Sequence, residues 1–311
     1  MPELPEVETV ARGLQDTVAG RRILSVTLRK TDFIDDAVAL ERELPGRQIS
    51  RVERFGKFML LGLADRAAAA AGGTGNPEPA VTEALLVHLG MTGHLAPHSP
   101  LQPLAKHTHV TFTLDDGREL RYTDARRFGR MAYLGGQALA EELKRFGADP
   151  LYVAAGEFAR RIGRSKARIK TLLLDQGVLR GVGNIYADES LWKSKIHPAR
   201  SGAGLSPAGL ATLRRELRKI LRQAIKLRGS SISDFVDAGG LPGDYQQHHQ
   251  VYGREGQACF RCGSRIRRII VAGRSSHFCP HCQPAPRAAG RKRRSQQKNT
   301  KRNRPRATSN R

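Results

Sequence analysis

All four cysteines of the sequence lie within one short segment near its end, in the pattern CxxC–x16–CxxC. They are Cys259, Cys262, Cys279 and Cys282. Each CxxC pair can direct two thiolates to one side of a metal ion, and the intervening residues can form a hairpin that brings the pairs together. The spacing therefore predicts one closed, tetrahedral, structural Zn²⁺ site, in preference to disulfides or free thiols. Four thiolates complete such a site, so the neighbouring His277 and His281 are interpreted as bystanders.

The first residues, MPELPEVETV, combine helix-forming signals with two residues that a helix does not explain. Pro5 suits the first position of a helix, and Glu6 opposes the positive end of the helix dipole. The apolar residues that follow are spaced to form one stripe: Val7, Val10, Leu14 and Val18. Pro2 and Glu3 precede this helix, so helix formation gives no reason for them.

The charge balance predicts a polyanionic partner. The 311 residues include 53 Lys and Arg against 29 Asp and Glu, a formal net charge of +24. Residues 283–311 hold 11 of these basic residues and no acid, but the rest of the chain is basic as well. Nucleic acid is the natural partner for such a surface. No run approaches the roughly 18 apolar residues of a membrane span, and no secretory signal is visible. These features predict a cytosolic protein without membrane association.

The first part of the chain is rich in predicted strands, which must position any site near the N-terminus. They are predicted at 23–28, 50–63, 84–90, 109–114 and 119–124, where β-branched and aromatic residues alternate with polar ones. Residues 64–80 are small, contain Gly and Pro and are low in complexity, which predicts a flexible surface loop. We expect an antiparallel β-sandwich that carries the N-terminal helix.

From about residue 138 the pattern becomes helical. The clearest helix begins after Ser206, which caps it, and ends at Gly229. The stretch 229–244 is rich in Gly and Ser and is predicted to be a loop. The cysteine segment and the basic tail follow, and at about 300 residues the chain is long enough for about two domains with their own cores.

Four separated motifs carry a family resemblance. PELPEVE, DARRFGR, GVGNIYADESLWKSKIHP and VYGREGQACFRCG…GRSSHFCPHC occur in the order found in bacterial formamidopyrimidine-DNA glycosylases, and the resemblance covers residues 1–283. It implies an α+β multidomain fold: an N-terminal antiparallel β-sandwich with a helix (1–135), a helix-two-turns-helix domain (136–247) and a C-terminal zinc-finger β-hairpin (248–283). Residues 284–311 would then be a disordered basic tail.

The same resemblance implies a function. The protein is expected to be a monomeric base-excision-repair enzyme of the nucleoid-associated cytoplasm, with damaged double-stranded DNA as its partner and one Zn²⁺ as its cofactor. It would remove 8-oxoguanine and formamidopyrimidines and then cleave the strand as an AP lyase.

The catalytic residues that the resemblance implies begin at the N-terminus. Removal of Met1 would make Pro2 the N-terminal residue, and its secondary amine could then attack C1′ of the damaged nucleoside. Glu3 would act as general acid during opening of the sugar ring. Glu6 either orients the site or is an ordinary helix-dipole glutamate. Lys57, in RFGKFML, would contact phosphate and assist elimination, and Arg274 would grip the phosphates that flank the lesion.

The resemblance also implies the residues that hold DNA. Met91, Arg126 and Phe128 would fill the space left by the extruded base, with Arg126 facing the orphaned cytosine. The expected phosphate contacts come from four further positions: His107, Lys166, Asn184 and, as a weaker candidate, Lys170. Asn184 closes the GVGN turn, which aims backbone amides at a phosphate.

Two features depart from the family, and two alternative functions stay open. The 64–80 insertion is expected to be neutral, and the 229–244 loop, which caps the extruded base in the family, lacks the threonines that relatives often carry. One alternative function is an endonuclease VIII-type glycosylase for oxidised pyrimidines. The other is a non-catalytic zinc-finger DNA-binding protein, which would bind DNA in a salt-dependent way without chemistry.

Overall fold

The computed structural model describes residues 1–64, 81–232 and 235–286. Nearly all of the predicted flexible loop at 64–80, and the basic tail beyond residue 286, lie outside the described residues. The described residues of the N-terminal half form two helices and eight strands: α1 (Leu4–Val18), β1 (Ile23–Leu28), α2 (Ala37–Glu43), β2 (Gln48–Phe55), β3 (Phe58–Ala64), β4 (Glu83–His88), β5 (Gly93–His98), β6 (Thr108–Leu114), β7 (Glu119–Asp124) and β8 (Arg130–Gly135).

These strands form two four-stranded antiparallel sheets. One has the order β1-β6-β7-β5 and the other β2-β3-β4-β8. The predicted antiparallel sandwich with its N-terminal helix is therefore confirmed. The predicted strand 50–63 is instead two strands, because Gly56 takes a positive φ of 65° and reverses the chain there. The strands β5 and β8 and the helix α2 were not predicted.

The apolar stripe of α1 forms the centre of the N-terminal core. Val7, Val10, Leu14 and Val18 are all completely buried, together with side chains from both sheets. Leu4, one turn earlier, belongs to a second core that is built by the later helices. The start of α1 therefore lies where the two halves of the molecule meet.

The second half is helical. Its elements are α3 (Gly136–Lys144), α4 (Ala155–Gly163), α5 (Ile169–Leu174), α6 (Asn184–Lys193) and α7 (Pro207–Lys226), with short 3-10 turns at Gly202–Gly204 and Tyr245–His248. The prediction for α7 is confirmed in detail, because the Ser206 hydroxyl accepts from the amide of Gly209 and Gly229, at φ 79°, lies just past its end. The described residues of 229–244 contain neither a helix nor a strand.

The last element is an antiparallel hairpin of β9 (Arg267–Val271) and β10 (Arg274–Phe278). A small core of Trp192, Val251, Cys259, Ile266 and Cys279 ties the hairpin segment to α6. Within the described part of the chain, no helix has the length and apolar character that crossing a bilayer requires.

Candidate active site and DNA interface

The N-terminal segment is held in the junction between the two halves. Pro2 and Glu3 are buried, whereas Met1 is about half exposed. The Leu4 amide donates to the carbonyl of Gly181 over 3.0 Å. The GVGN turn at 181–184 therefore fixes the start of α1. The PELPEVE and GVGN motifs, which are far apart in sequence, are in contact in the folded chain.

The Glu3 carboxylate lies at the N-terminus of α6. It accepts hydrogen bonds from the amides of Ile185, over 3.0 Å, and Tyr186, over 3.4 Å. Gly183 makes this approach possible, because a Cβ there would lie 2.2 Å from Cδ of Glu3. The glycine is thus a requirement of the site that the sequence alone did not single out.

Burial dominates the protonation of Glu3. It raises the pKa of the carboxyl to about 7, although the Lys57 ammonium and the two α6 amides favour the charged form. A carboxyl that titrates near neutral pH can donate a proton and later accept one, as a general acid–base group requires.

Glu6 connects three parts of the site. One carboxylate oxygen accepts from the amide of Glu3 over 2.8 Å. The other accepts from the Tyr186 hydroxyl and from the amide of Ser230. Glu6 is only 2 % exposed, and burial raises its pKa. Of the two interpretations that the sequence left open, these contacts favour the one in which Glu6 orients the site.

Lys57 lies in the two-residue turn between β2 and β3, so its predicted position on a strand is wrong. Burial lowers its pKa, and the Glu3 carboxylate opposes that shift while the Arg274 guanidinium reinforces it. Arg274 is exposed and begins β10, directly after the tight turn of the hairpin. The charges of Glu3 and Arg274 both act on Lys57, which indicates that these residues from three separate elements lie near one another.

The four cysteines fit a single metal ion. Their Sγ atoms all lie within 4.8 Å of one another, and the Sγ atoms of Cys262 and Cys279 are 3.4 Å apart. A tetrahedral site with Zn–S bonds of about 2.3 Å places sulfur atoms roughly 3.8 Å apart, so the geometry suits Zn²⁺. None of the four is in a disulfide. Four thiolates would fill every position of a tetrahedral ion, so the role of the ion is structural, and the two cysteine pairs flank the hairpin that carries Arg274.

The predicted wedge residues lie on two adjacent loops. Met91 is 40 % exposed in the turn between β4 and β5, and Phe128 is 57 % exposed between β7 and β8. The Arg126 guanidinium stacks 4.6 Å from the centre of the Phe128 ring. Their exposure and their place on adjacent loops suit side chains that insert between bases.

A buried carboxylate that the sequence analysis did not single out shapes the second loop. Asp124 is fully buried and accepts from the Thr92 hydroxyl and from the amides of Arg126 and Gly129. The sequence did contain a signal for this, because an Asp two residues before Arg126 suits a turn in which its side chain accepts from that amide.

A small cavity connects Pro2 with the wedge and the 229–244 loop. It is lined by Met1, Pro2, Glu6, Met91, Ile185, Ser230, Ile232 and Phe235. The predicted base-capping loop therefore reaches the N-terminal nucleophile candidate from one side, and the wedge reaches it from the other.

Three predicted phosphate contacts lie on the surface or at its edge. Lys166 is exposed between α4 and α5, and His107 is half-buried before β6. Asn184 begins α6, directly before the amides that hold Glu3, and its side-chain Oδ1 is buried without a hydrogen-bond partner among the described residues.

The prediction that Lys170 contacts DNA is contradicted by its position. Its side chain is completely buried, and Nζ donates to the Asp188 carboxylate and to the carbonyl of Ser275, both over 2.6 Å. Asp188 in turn accepts from the amide of His277. Lys170 therefore links α5 and α6 to the hairpin next to Arg274 and has no donor facing solvent. His277 and Lys170 thus donate to the same buried Asp188 carboxylate, so His277 has a structural role in this network.

The chain matches three family models in order. Residues 1–131 match the formamidopyrimidine-DNA glycosylase N-terminal domain, 146–236 its H2TH domain, and 256–285 a zinc finger found in FPG and IleRS. The chain belongs to the formamidopyrimidine-DNA glycosylase family. It is therefore a base-excision-repair DNA glycosylase, a hydrolase that binds damaged DNA, and the non-catalytic alternative is excluded.

Relatives and solved structures agree over most of the chain. A formamidopyrimidine-DNA glycosylase of Herpetosiphon aurantiacus is 41% identical over 288 residues, which cover 91% of this chain and 100% of that protein. The corresponding protein of Solibacter usitatus is 41% identical over 285 residues, covering 91% and 99%. The structure of Lactococcus lactis Fpg with DNA containing an abasic site has a TM-score of 0.80 at 34% identity, and covers 91% of this chain and 100% of that one. A mutant of the same enzyme in complex with DNA containing Fapy-dG has a TM-score of 0.81, at the same identity and coverage.

Proposed function

We propose that this glycosylase removes oxidised purines, namely 8-oxoguanine and formamidopyrimidines, and then cleaves the strand as an AP lyase. The observation that carries the proposal is the arrangement at the N-terminus, where Pro2 is buried next to a carboxyl, Glu3, whose pKa is about 7. A nucleophile and a neutral acid side by side are what displacement of a base from C1′ of deoxyribose needs.

The first chemical step uses the amine of Pro2 after Met1 is removed. An α-amino group titrates near ~8, so part of it is unprotonated at neutral pH. Its lone pair forms a bond to C1′ while the bond from C1′ to the base breaks, and the departing base takes up the proton that the attacking nitrogen loses. Glu3 then donates its proton to the ring oxygen as the sugar opens, which leaves an iminium ion between Pro2 and C1′ of the ring-opened sugar.

The second step cleaves the strand. The imine withdraws electrons and acidifies the C2′ proton; loss of that proton expels the 3′ phosphate, and δ-elimination then expels the 5′ phosphate. We assign Lys57 and Arg274 to this step, because a lysine whose pKa is lowered can exchange protons more readily and an exposed arginine suits the flanking phosphates. Glu6 orients the segment.

Access to the lesion needs an extruded base. We assign Met91, Arg126 and Phe128 to the space that the base leaves, which agrees with their exposure. The cavity between Pro2 and the 229–244 loop, of about 40 Å³, is too small for a purine and would have to widen to receive the base. Phosphate contacts are assigned to His107, Lys166 and Asn184, whereas Lys170 is reassigned to holding the hairpin.

Borohydride reduction in the presence of an 8-oxoguanine:C duplex tests the proposal. We expect a covalent adduct whose N-terminal peptide begins at Pro2 and carries the sugar remnant. An adduct on a lysine, or full strand cleavage by a chain that keeps Met1, would overturn the assignment of Pro2. Faster release of thymine glycol than of 8-oxoguanine would favour the endonuclease VIII-type substrate range.

We also propose the cellular setting and the domain division. The enzyme would act as a monomer in the nucleoid-associated cytoplasm. Most buried apolar side chains of the three larger divisions, 1–135, 136–247 and 248–283, fall in separate clusters, although Leu4, Trp192 and Leu139 each pack in a cluster of the neighbouring division. The remainder, 284–311, would be a basic DNA tether.

A further inference from the structure

The outward side of α7 carries a row of cations, here called the α7 array. Its members recur at intervals of four residues, with two neighbours beside them: Arg214, Arg218, Arg222 and Lys226, then Arg215 and Lys219. Together with Gln223 they line one shallow groove. The single acid in α7 is Glu216, which pairs with Arg215 over 3.0 Å.

The array is unfavourable for the isolated protein. Like charges four residues apart on a helix repel one another, and three such steps follow in succession from Arg214 to Lys226. The pKa of Arg218 is lowered by burial and by its neighbours Arg214 and Arg222. Its Nε is also buried without a hydrogen-bond partner. Arg214 is used by the fold, because its Nε donates to the carbonyl of Val153 over 2.8 Å. In the described part of the chain no hydrogen bond or ion pair holds Lys219, Arg222 or Lys226, so a ligand outside the fold is the simplest reason for their charge.

The array lies apart from the active site. The apolar side of α7 packs on α1, α4 and α6, and α1 begins at the catalytic residues. The array therefore points away from them, and it shares no residue with the cavity next to Pro2. The proposed wedge and phosphate contacts also lie on other elements than α7.

We propose that the α7 array binds the phosphate backbone of a second duplex DNA segment, distinct from the one that holds the lesion. The array is about 18 Å long at 1.5 Å per residue, and duplex DNA offers one phosphate charge per roughly 1.7 Å of its axis. Four of the six cations are arginines, whose planar donor pairs suit phosphate oxygens. A glycosylase that holds two segments could examine one while staying attached to another.

The test compares two variants of the full chain that lose three positive charges each. The array variant carries Lys219→Gln, Arg222→Gln and Lys226→Gln, all at exposed positions. The matched control carries the same change at three exposed cations elsewhere: Arg12, Arg42 and Lys144. The active site is first saturated with a short duplex that contains a tetrahydrofuran abasic-site analogue. A fluorescent undamaged duplex is then added, and its anisotropy is followed at several salt concentrations.

We expect the natural protein and the control to bind the second duplex equally, and the array variant at least about tenfold more weakly. The slope of log K against log salt should be shallower by up to about 2.7 in the array variant, because three phosphate contacts are lost. Excision from a short 8-oxoguanine duplex should be unchanged. A thermal melt checks folding, and the smaller variant Arg215→Gln, Lys219→Gln should show an intermediate loss of binding.

Three results would overturn the proposal. In the first, the array variant binds the second duplex as well as the control does. In the second, the array variant loses excision on the short duplex, which would assign the array to the lesion-bearing segment. In the third, a polyglutamate peptide binds the saturated enzyme more tightly than the undamaged duplex does at equal charge concentration and loses that binding in the array variant, which would indicate a surface for an acidic protein.

Discussion

Replacing Glu3 with glutamine should make the enzyme more stable and far less active. The carboxyl is 4 % exposed, and burial raises its pKa to about 7 from an ordinary value of 4.5. A raised pKa means that the folded state prefers the protonated form, so the stabilisation is complete below pH 4.5 and is lost as the pH rises towards 7. At pH 8 the protein therefore bears the cost of an ionised, buried carboxylate.

The magnitude follows from the shift. A difference of about 2.5 pKa units corresponds to roughly 3 kcal/mol of unfolding free energy. Glutamine resembles the protonated acid and does not ionise, so Glu3→Gln should gain about that amount at pH 8 and less than about 1 kcal/mol at pH 5. Loss of the general acid should lower the single-turnover rate of excision by about 10²- to 10⁴-fold. In the unaltered enzyme, loss of the Glu3 proton above pH 7 is opposed by release of the free Pro2 amine near pH ~8, so kcat/KM should pass through a maximum between these values and fall at higher pH.

Urea unfolding at pH 5 and pH 8 measures the stability, and quenched single-turnover excision measures the activity. The exposed Glu41→Gln serves as a control that should change neither. If Glu3→Gln destabilises the fold equally at both pH values, the carboxyl is not held in its neutral form, and its assignment as an acid loses its physical basis.

Three further changes test other parts of the site. Gly183→Ala should lower excision nearly as much as removing the Glu3 carboxyl does, because the new methyl group would overlap it, whereas Gly156→Ala in α4 should leave the single-turnover rate unchanged. Lys170→Met should lower the unfolding free energy by about 3–5 kcal/mol, as it leaves the buried Asp188 charge without its partner, and calorimetry measures this loss. Chelation should release one Zn²⁺ per chain, detectable with a colorimetric dye, and should weaken binding to abasic-site DNA, because the hairpin that presents the phosphate contact loses its support.

Patterns within a single segment correctly predicted the helices and the cysteine site that depend on that segment alone. The stripe of α1, the cap and end of α7 and the spacing of the cysteines each describe one segment and its immediate needs. The strand predicted at 50–63 failed because the apolar character continues through a turn of only Gly56 and Lys57. A two-residue turn leaves little trace in a hydrophobicity pattern, although Gly56 is its one signal.

Contacts between distant segments could not be predicted from such patterns. Lys170 occurs in a basic stretch that suggests a surface position, yet its partner Asp188 lies on the next helix and its second acceptor, Ser275, on the hairpin. Only the folded arrangement decides whether a lysine faces a phosphate or a buried carboxylate. The family motifs identified Glu3 as a general acid, but they do not show why its pKa lies near 7.

That reason is a balance between opposing effects. A carboxylate at a helix N-terminus that accepts two amides would ordinarily have a lowered pKa, and the Lys57 ammonium acts in the same direction. Burial raises the pKa by more than these two effects lower it. Burial is this complete because Leu4 and the GVGN turn hold the N-terminal segment in the junction between the two halves of the molecule. The acid strength of Glu3 is thus a property of how the two halves pack. A change at that junction, even one that contacts neither DNA nor Pro2, should alter the pH range in which the enzyme works.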